Sequence, residues 1–284
     1  MKCLCCGKTI NQNAAESEKK WQWHKKCVVN FFHTKEMPVL DITKEQLEFL
    51  VNETVNEGLT VPGVQKKLSL HLSSDIDARL TIVDYPTGYI LKPQTEEFEN
   101  MPEFEDLAMR LAEIMGIQTV PHALIKMNGE YAYITKRIDR EITEKEIKLY
   151  AMEDFCQLSC RLTQDKYKGS YEQCGRIIKK YSTTPGLDMS ELFLRVLGSF
   201  VMGNSDMHLK NFSLKETEPG NRKFQLSKAY DMLPVNIIMP EDKEQLALTI
   251  NGKKRNIHKK EFRALAESCE IPANAGEHMI ERVY

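Results

Sequence analysis

The stretch Gly203-Asn-Ser-Asp-Met-His-Leu-Lys-Asn-Phe-Ser-Leu214 is the most informative part of this sequence. It places a carboxylate at Asp206 and an amide at Asn211, five positions apart. The preceding segment, Leu192 to Gly203, is apolar at helical spacing, which predicts a buried helix ending where the stretch begins. We therefore expect a polar loop that a core helix delivers rigidly to a functional site.

The spacing Asp-x-x-x-x-Asn resembles that of the catalytic loop of protein kinases. There an aspartate orients the substrate hydroxyl and accepts its proton, while an amide oxygen helps to hold magnesium. A second acid should follow after a short hairpin, and Asp231 in Ala229-Tyr-Asp-Met-Leu233 has that position. Asp206 is thus the candidate base, and Asn211 and Asp231 are candidate magnesium ligands. The alternative is that both acids are ordinary turn or capping residues.

A kinase also needs a strand lysine for the phosphates of ATP, and Tyr89-Ile-Leu-Lys92 resembles the pattern Val-Ala-Ile-Lys. Glu105, on the next predicted helix, could pair with Lys92 and hold it. A strand-end lysine that simply faces water is the alternative. The corresponding nucleotide loop, Thr60 to Lys67, has a single glycine and does not match Gly-x-Gly-x-x-Gly.

A segment with strand-like sequence and one helix precedes a segment that is mainly helical. This order predicts an α+β chain with two lobes. The turn pair Asn128-Gly129 predicts a hairpin between two strands. The expected elements are a helix from Asp41 to Gly58, strands near 67–72, 80–83, 88–92, 121–126 and 130–136, a helix at 103–115, and one hairpin near 212–226. Apart from that hairpin, the sequence beyond Glu144 is predicted to be mainly helical. The expected domains are residues 1–36, a strand-rich lobe 37–141 and a helical lobe 142–284.

The first of these segments carries a cysteine and histidine pattern. Cys3 and Cys6 have the spacing of a metal knuckle, and His24 and Cys27 repeat it. Three thiolates and one imidazole can complete a tetrahedral structural zinc site, in which Cys5 is an alternative ligand to Cys3 or Cys6. A chance cluster of thiols is the other interpretation. The cysteines in later helical text are interpreted as core residues: Cys156, Cys160, Cys174 and Cys269.

Composition narrows the class of protein. Lys plus Arg is 39 and Asp plus Glu is 41, a net charge of -2, so no global field favours nucleic acid or a membrane as the main partner. The chain start lacks the apolar core of a signal peptide, and the stretch before Gly203 is too short to span a bilayer. We therefore expect a cytoplasmic protein whose eight cysteines are thiols or metal ligands.

Together these residues resemble the HipA family of bacterial toxin kinases over about Val61 to Lys260. The resemblance is carried by Gly63-Val-Gln-Lys-Lys67, Ile90-Leu-Lys-Pro93, Thr135 to Arg140, Met152 to Gln157, Gly203 to Ser213 and Ala229 to Pro234. It implies a bilobal protein-kinase-like fold with ATP and magnesium in the cleft between lobes. The residues it places at the nucleotide are Gly63, Val64, Gln65, Lys67, Lys92, Glu105, Lys136, Arg137, Ile138, Asn211 and Asp231, and at the catalytic centre Asp206, His208 and Lys210. His208 would orient the loop or serve as a structural histidine.

The resemblance also implies a substrate and a regulator, and this sequence differs from the family in two respects. Family members phosphorylate aminoacyl-tRNA synthetases, and a DNA-binding antitoxin restrains them. Only about sixty residues precede the nucleotide loop here, so the chain is similar to short HipT-like kinases whose N-terminal subdomain is a separate small protein. The serine that family members phosphorylate on themselves corresponds to Thr60, a candidate autophosphorylation site.

Two other functions remain open from the sequence. The chain could be a catalytically silent binding module that docks a protein or nucleic acid through the zinc segment, or a kinase for a small molecule. Lysines surround the cysteines, but a few lysines are usually a solvated face, so direct nucleic-acid binding is not expected.

Overall fold

The computed structural model describes residues 1–40, 42, 67–73, 78–81, 87–143 and 146–283. Contacts divide the chain into two compact units. The first unit comprises Met1–Asp106 and Pro121–Ile138, and the second comprises Leu107–Val120 and Asp139–Tyr284. The domain boundaries at residues 36 and 141 stay a prediction. The predicted helix from Asp41 to Gly58 lies outside the described residues.

The first unit is built on a sheet of six strands in the order β1-β3-β2-β4-β6-β5. Its strands are β1 (Val39–Leu40), β2 (Leu68–Ser73), β3 (Arg79–Thr81), β4 (Tyr89–Pro93), β5 (His122–Met127) and β6 (Glu130–Lys136). Strands β1 and β3 are parallel, and the other neighbours are antiparallel. Asn128 and Gly129 join β5 to β6 with φ of 52° and 89°, so both turn residues are left-handed, as a two-residue hairpin requires.

Three helices accompany this sheet in the sequence: α1 (Glu16–Trp21), α2 (Lys25–Phe32) and α3 (Met101–Met115). Helices α1 and α2 belong to the cysteine segment, and each ends in a left-handed residue, Gln22 and His33. Helix α3 continues from the first unit into the second.

The second unit is mainly helical. Its helices are α4 (Phe155–Leu158), α5 (Tyr171–Tyr181), α6 (Pro185–Met202), α7 (Val235–Ile238), α8 (Lys259–Ser268) and α9 (Ala273–Val283). Helix α6 starts with Pro185 in its first turn, where the missing N–H costs nothing. Leu192, Phe193, Val196 and Leu197 of α6 are buried, so the predicted core helix is present. No described helix has both the length and the apolar character that a membrane span requires.

The hairpin predicted near residues 212–226 is confirmed, but two further strands, Ile147–Leu149 and Met152–Asp154, lie where the sequence beyond Glu144 was expected to be helical. Strands β7 (Arg140–Ile142) and β8 (Ile147–Leu149) form a hairpin, and β9 (Met152–Asp154), β10 (Ser213–Glu216) and β11 (Phe224–Leu226) form a sheet in the order β11-β10-β9. Strand β9 pairs with β10 at Ser213 to Lys215, about sixty residues away. Such non-local pairing overrides local propensity. The core assignment of Cys160 is also wrong, because its thiol is exposed after the end of α4.

Candidate active site and metal site

The loop that follows α6 is fixed by its own backbone and by a glycine. Gly203 ends the helix with φ of 70°, a left-handed conformation in which a side chain would be strained. An added Cβ there would lie 3.2 Å from Asn236 Oδ1. The fully buried Asn204 then accepts a hydrogen bond from the Asp206 N–H at 3.1 Å. The end of α6 therefore fixes the position of the Asp206 backbone.

Asp206 and Asn211 are tied directly to each other. Asn211 Nδ2 donates to the Asp206 carbonyl oxygen at 2.9 Å, and the His208 N–H donates to the same oxygen at 2.8 Å. Asn211 is buried at the end of a 3₁₀ turn, Leu209–Asn211. Because the amide nitrogen of Asn211 holds the loop, its side-chain oxygen remains available as a hard ligand. The Asp206 carboxylate itself is 43% exposed.

Asp231 lies next to this loop through its neighbour Tyr230. The Tyr230 hydroxyl donates to the Lys210 carbonyl oxygen at 3.2 Å and shares a hydrogen bond of 2.5 Å with Ser213 Oγ. Asp231 itself has φ of 57°, a left-handed conformation that is uncommon for a non-glycine residue and recurs at functional sites. Tyr230 thus ties the residue before Asp231 to the loop, and the roles of Asn211 and Asp231 as magnesium ligands stay a prediction.

His208, in the same loop, is buried. Burial lowers the pKa of its imidazole to about 4, although the carboxylates of Asp206 and Asp231 oppose that shift. Its Nε2 lies 4.0 Å from Asp206 Oδ1, and its Nδ1 has no hydrogen-bond partner among the described residues. His208 is therefore neutral near pH 7, and a packing role suits it better than that of a proton carrier.

The burial of His208 predicts a loss of stability in acid. The unfolded imidazole titrates near 6.5 and the folded one near 4, so only the unfolded chain binds the proton between these values. The contribution of neutral His208 to the free energy of unfolding is fully present above pH 6.5. It is lost as the pH falls towards 4, by about 3 kcal/mol in total. Urea unfolding at pH 7 and pH 4.5, without nucleotide or added magnesium, measures the difference.

The matched variants are His208→Asn and His278→Asn, the latter at an exposed position. We expect wild type and His278→Asn to lose more stability between the two pH values than His208→Asn does. Equal losses in all three proteins would contradict the assignment to His208.

Lys210 has a different position from that of a free catalytic cation. Its Nζ donates to Asp154 Oδ2 at 2.7 Å. Asp154 also caps α4, because its carboxylate accepts from the Gln157 N–H at 2.8 Å. The pair therefore anchors the loop to the start of α4, and the predicted catalytic role of Lys210 stays a prediction.

In the first unit, Lys92 and Glu105 form a buried ion pair. Lys92 Nζ lies 2.5 Å from Glu105 Oε1, and the two side chains are 6% and 0% exposed. Tyr133, the cross-strand neighbour of Lys92, places its ring 5.5 Å from the ammonium. The pairing expected from the sequence is thus present between strand β4 and helix α3. A second buried pair, His122 with Asp106 at 3.0 Å, joins the next residue of α3 to β5.

Glu105→Gln tests the worth of this ion pair. Glutamine keeps the volume and one acceptor oxygen but loses the charge, so a charge-assisted hydrogen bond becomes a neutral one. We expect a loss of about 1–2 kcal/mol in the free energy of unfolding. Glu103→Gln on the same helix, at a partly exposed position, is the control and should change little. Thermal unfolding measures both, and equal midpoints for the two variants would contradict the expectation.

The remaining predicted nucleotide residues are placed as follows. The N–H groups of Lys136 and Arg137 donate to the carbonyl oxygens of Pro121 and Gly88 at 3.0 and 2.9 Å, so neither is free for an adenine ring. Ile138 follows them at the end of the first unit. Lys67 is exposed just before β2. Gly63, Val64, Gln65 and Thr60 lie outside the described residues.

The predicted metal ligands of the N-terminal segment converge. The ligand atoms of Cys3, Cys6, His24 and Cys27 all lie within 4.8 Å of one another. His24 Nδ1 is 3.4 Å from Cys6 Sγ and 4.0 Å from Cys27 Sγ. Ligands bound tetrahedrally to one zinc ion are about 3.6–3.8 Å apart. Among the described residues, this is the cluster that could hold a metal ion, and Cys5 is outside it.

The surroundings of the cluster fit a cation. His24 Nε2 lies 3.3 Å from the Thr9 carbonyl oxygen, which leaves Nδ1 as the ligand nitrogen. Burial and the charges of Cys5, Cys3 and Cys6 raise the pKa of the Cys27 thiol. Thiolates at this density repel one another, and a divalent cation would remove that repulsion.

The cysteine segment is packed into the sheet of the first unit. Trp23 is fully buried, and its Nε1 donates to the Leu124 carbonyl oxygen at 3.0 Å. The Leu124 N–H donates in turn to the Leu4 carbonyl oxygen at 3.2 Å. Phe31 and Phe32 lie within 6.0 Å of the Tyr89 ring on β4. Most of the aromatic surface that could dock a partner is therefore buried within the unit.

One contact of the candidate base was not predicted from the sequence. The Tyr167 hydroxyl donates a hydrogen bond to Asp206 Oδ1, and the Tyr167 ring packs against His208. Tyr167 lies 39 positions before Asp206. No local pattern marks such a tyrosine.

The chain belongs to the family described as HipA-like C-terminal domain, which matches residues 59–284. Its fold resembles the solved Shewanella oneidensis HipA, HipB and operator DNA complex, with a TM-score of 0.67 at 20% identity over 79% of this chain and 55% of that chain. The predicted HipA-like fold and family resemblance are confirmed.

Two curated relatives carry kinase names. A Haemophilus influenzae protein named "Putative kinase" is 26% identical over 213 residues, which is 70% of this chain and 59% of that protein. "Putative kinase Y4dM" of Sinorhizobium fredii is 31% identical over 229 residues, 75% of this chain and 54% of that protein. The chain thus spans little more than half the length of these relatives.

Proposed function

We propose that this protein is a magnesium- and ATP-dependent kinase of the HipA type that phosphorylates serine or threonine in a protein. The observation that carries the proposal is the loop in which Asn211 donates to the Asp206 carbonyl oxygen while Tyr230, the neighbour of Asp231, donates to the Lys210 carbonyl oxygen. The kinase names of two relatives support it.

Each part of this arrangement has a chemical role. The exposed carboxylate of Asp206 would orient the substrate hydroxyl and accept its proton. Oxygens of Asn211 and Asp231 are the hard ligands that suit magnesium, which neutralises phosphate charge when bound. Lys92, held by Glu105, would bind phosphate oxygens in the first unit.

The substrate and partners follow from the family resemblance. An aminoacyl-tRNA synthetase is the proposed target, and a DNA-binding antitoxin the proposed regulator. The structural neighbour is a HipA complex with HipB and operator DNA, which supports an antitoxin partner. We also propose self-phosphorylation at Thr60 and a separate small protein as a further partner.

We propose that Cys3, Cys6, His24 and Cys27 hold a structural zinc ion. The converging ligand atoms support the site, and the burial of Trp23 against β5 supports a stabilising role over docking. A zinc ion with four protein ligands supplies folding energy and no open coordination position.

Labelled ATP with magnesium tests the proposal on the wild-type protein, alone and with a panel of aminoacyl-tRNA synthetases. We expect label on one synthetase and on the protein itself, with the second label located by mass spectrometry at Thr60. Transfer to a small molecule alone would replace the protein substrate. Folded, metal-bound protein that transfers no phosphate to any acceptor would favour the binding-module function instead.

A further inference from the structure

Tyr167 contacts the candidate base from outside its loop. It lies between the 3₁₀ turn Thr163–Asp165 and helix α5. Its hydroxyl donates to Asp206 Oδ1. Its ring packs edge-on against His208, with centroids 5.0 Å apart and planes at 78°. The same tyrosine thus touches two residues of the catalytic loop.

The segment that carries Tyr167 is fastened on both sides of it. The Leu209 N–H donates to the Lys166 carbonyl oxygen at 3.1 Å. The buried Tyr171 donates its hydroxyl to the Met207 carbonyl oxygen at 3.0 Å. These bonds join the Tyr167 segment to the catalytic loop at residues adjacent to His208. The backbone that carries Tyr167 is therefore fixed to the loop, while the Tyr167 side chain itself is 40% exposed and is held by its contacts with Asp206 and His208.

The hydrogen bond from Tyr167 gives the two oxygens of the Asp206 carboxylate different environments. Oδ1 accepts from Tyr167, whereas Oδ2 accepts no hydrogen bond from the part of the chain that the structure describes. Burial, and then the charge of Asp206, raise the pKa of the Tyr167 phenol. Tyr167 therefore remains a protonated donor at neutral and moderately alkaline pH.

We propose that Tyr167 is a positioning residue for phosphate transfer, whose hydroxyl fixes one oxygen of Asp206 so that the other meets the substrate hydroxyl. This inference rests on the proposed kinase function. Without the hydrogen bond, a carboxylate exposed to 43% samples several orientations, and few of them suit proton transfer. Nucleotide binding does not depend on that orientation.

The test compares Tyr167→Phe with wild type and with Tyr150→Phe. Tyr150 also donates to a carboxylate, Glu141 Oε2 at 3.2 Å, but away from the catalytic loop. We expect Tyr167→Phe to lower kcat about tenfold, with KM for ATP within about twofold of wild type. Tyr150→Phe should leave both constants unchanged. Calorimetry with a non-hydrolysable ATP analogue gives the folded, binding-competent fraction of each variant.

Two results would overturn the proposal while leaving the kinase function standing. The first is an unchanged kcat in Tyr167→Phe, whether or not the KM for ATP rises, and the second is a raised kcat, which would mean that the phenol blocks the reaction. A wild type that binds the analogue but transfers no phosphate would remove the proposed function and this inference with it. If Tyr167→Phe folds poorly, kcat per binding-competent molecule decides, and Tyr167→Leu repeats the test without the ring.

Discussion

Asp206→Ala is expected to lower phosphate transfer at least about a hundredfold, the usual range for losing a general base. The variant should fold normally. Within the loop, the hydrogen bonds of Asp206 use its N–H and carbonyl oxygen, both of which alanine retains, so the variant loses only the partly exposed side-chain bond from Tyr167. The carboxylate is 43% exposed, so its removal leaves no buried cavity. Initial rates with labelled ATP and a thermal unfolding curve measure the two expectations.

Asp165→Ala is the matched control for this experiment. Asp165 is a nearby acid of the same unit that pairs with Lys168 at 2.7 Å on the surface. Its loss should cost little stability and no activity. If Asp206→Ala kept a rate within about threefold of wild type, the loop would not contain the base. A large fall in its unfolding midpoint would mean that Asp206 is structural.

Cys27→Ser is expected to abolish zinc binding and to lower the unfolding midpoint by about 10 °C, equivalent to a loss of about 3 kcal/mol or more. Zinc bound at the cluster would support the packing of Trp23 on β5 and of α2 on β4, so the loss should spread into the sheet. Mass spectrometry of metal content should find about one zinc per wild-type chain and less than about a tenth in the variant.

Two serine variants control for the loss of a thiol as such. Cys160→Ser removes an exposed thiol that is not part of the cluster and should change neither zinc content nor stability. Cys5→Ser distinguishes the ligand sets considered from the sequence, and we expect it to retain zinc. If Cys27→Ser kept both metal and stability, the four residues would not form a metal site.

Much of the fold could be predicted because its signals are local. The Asn128-Gly129 pair specifies left-handed turn residues, and the apolar period of α6 specifies a buried helix. The metal cluster was predictable because paired two-residue spacings fix ligand geometry on each side. The loop holding Asp206 and Asn211 was predictable because both residues lie in one short segment, five positions apart.

The rest depends on contacts between residues far apart in sequence. Strand β9 is extended because β10 pairs with it, and its own residues do not reveal that. Asp154, 56 positions before Lys210, accepts a hydrogen bond from its ammonium, and no local pattern in the sequence marks that pairing. Tyr167 reaches Asp206 across 39 positions, and a tyrosine in a polar loop carries no distinguishing pattern. Only the packed structure identifies such partners.

The bond from Trp23 to Leu124, across 101 positions, has a consequence for synthesis on the ribosome. Trp23 emerges long before β5, so its indole must remain without its native partner while about a hundred residues are added. Bringing such distant segments together carries an entropic cost that grows slowly with the length of the intervening chain. Zinc binding early in synthesis would order the cysteine segment before β5 is available. Zinc supply during translation would then influence how much chain escapes aggregation.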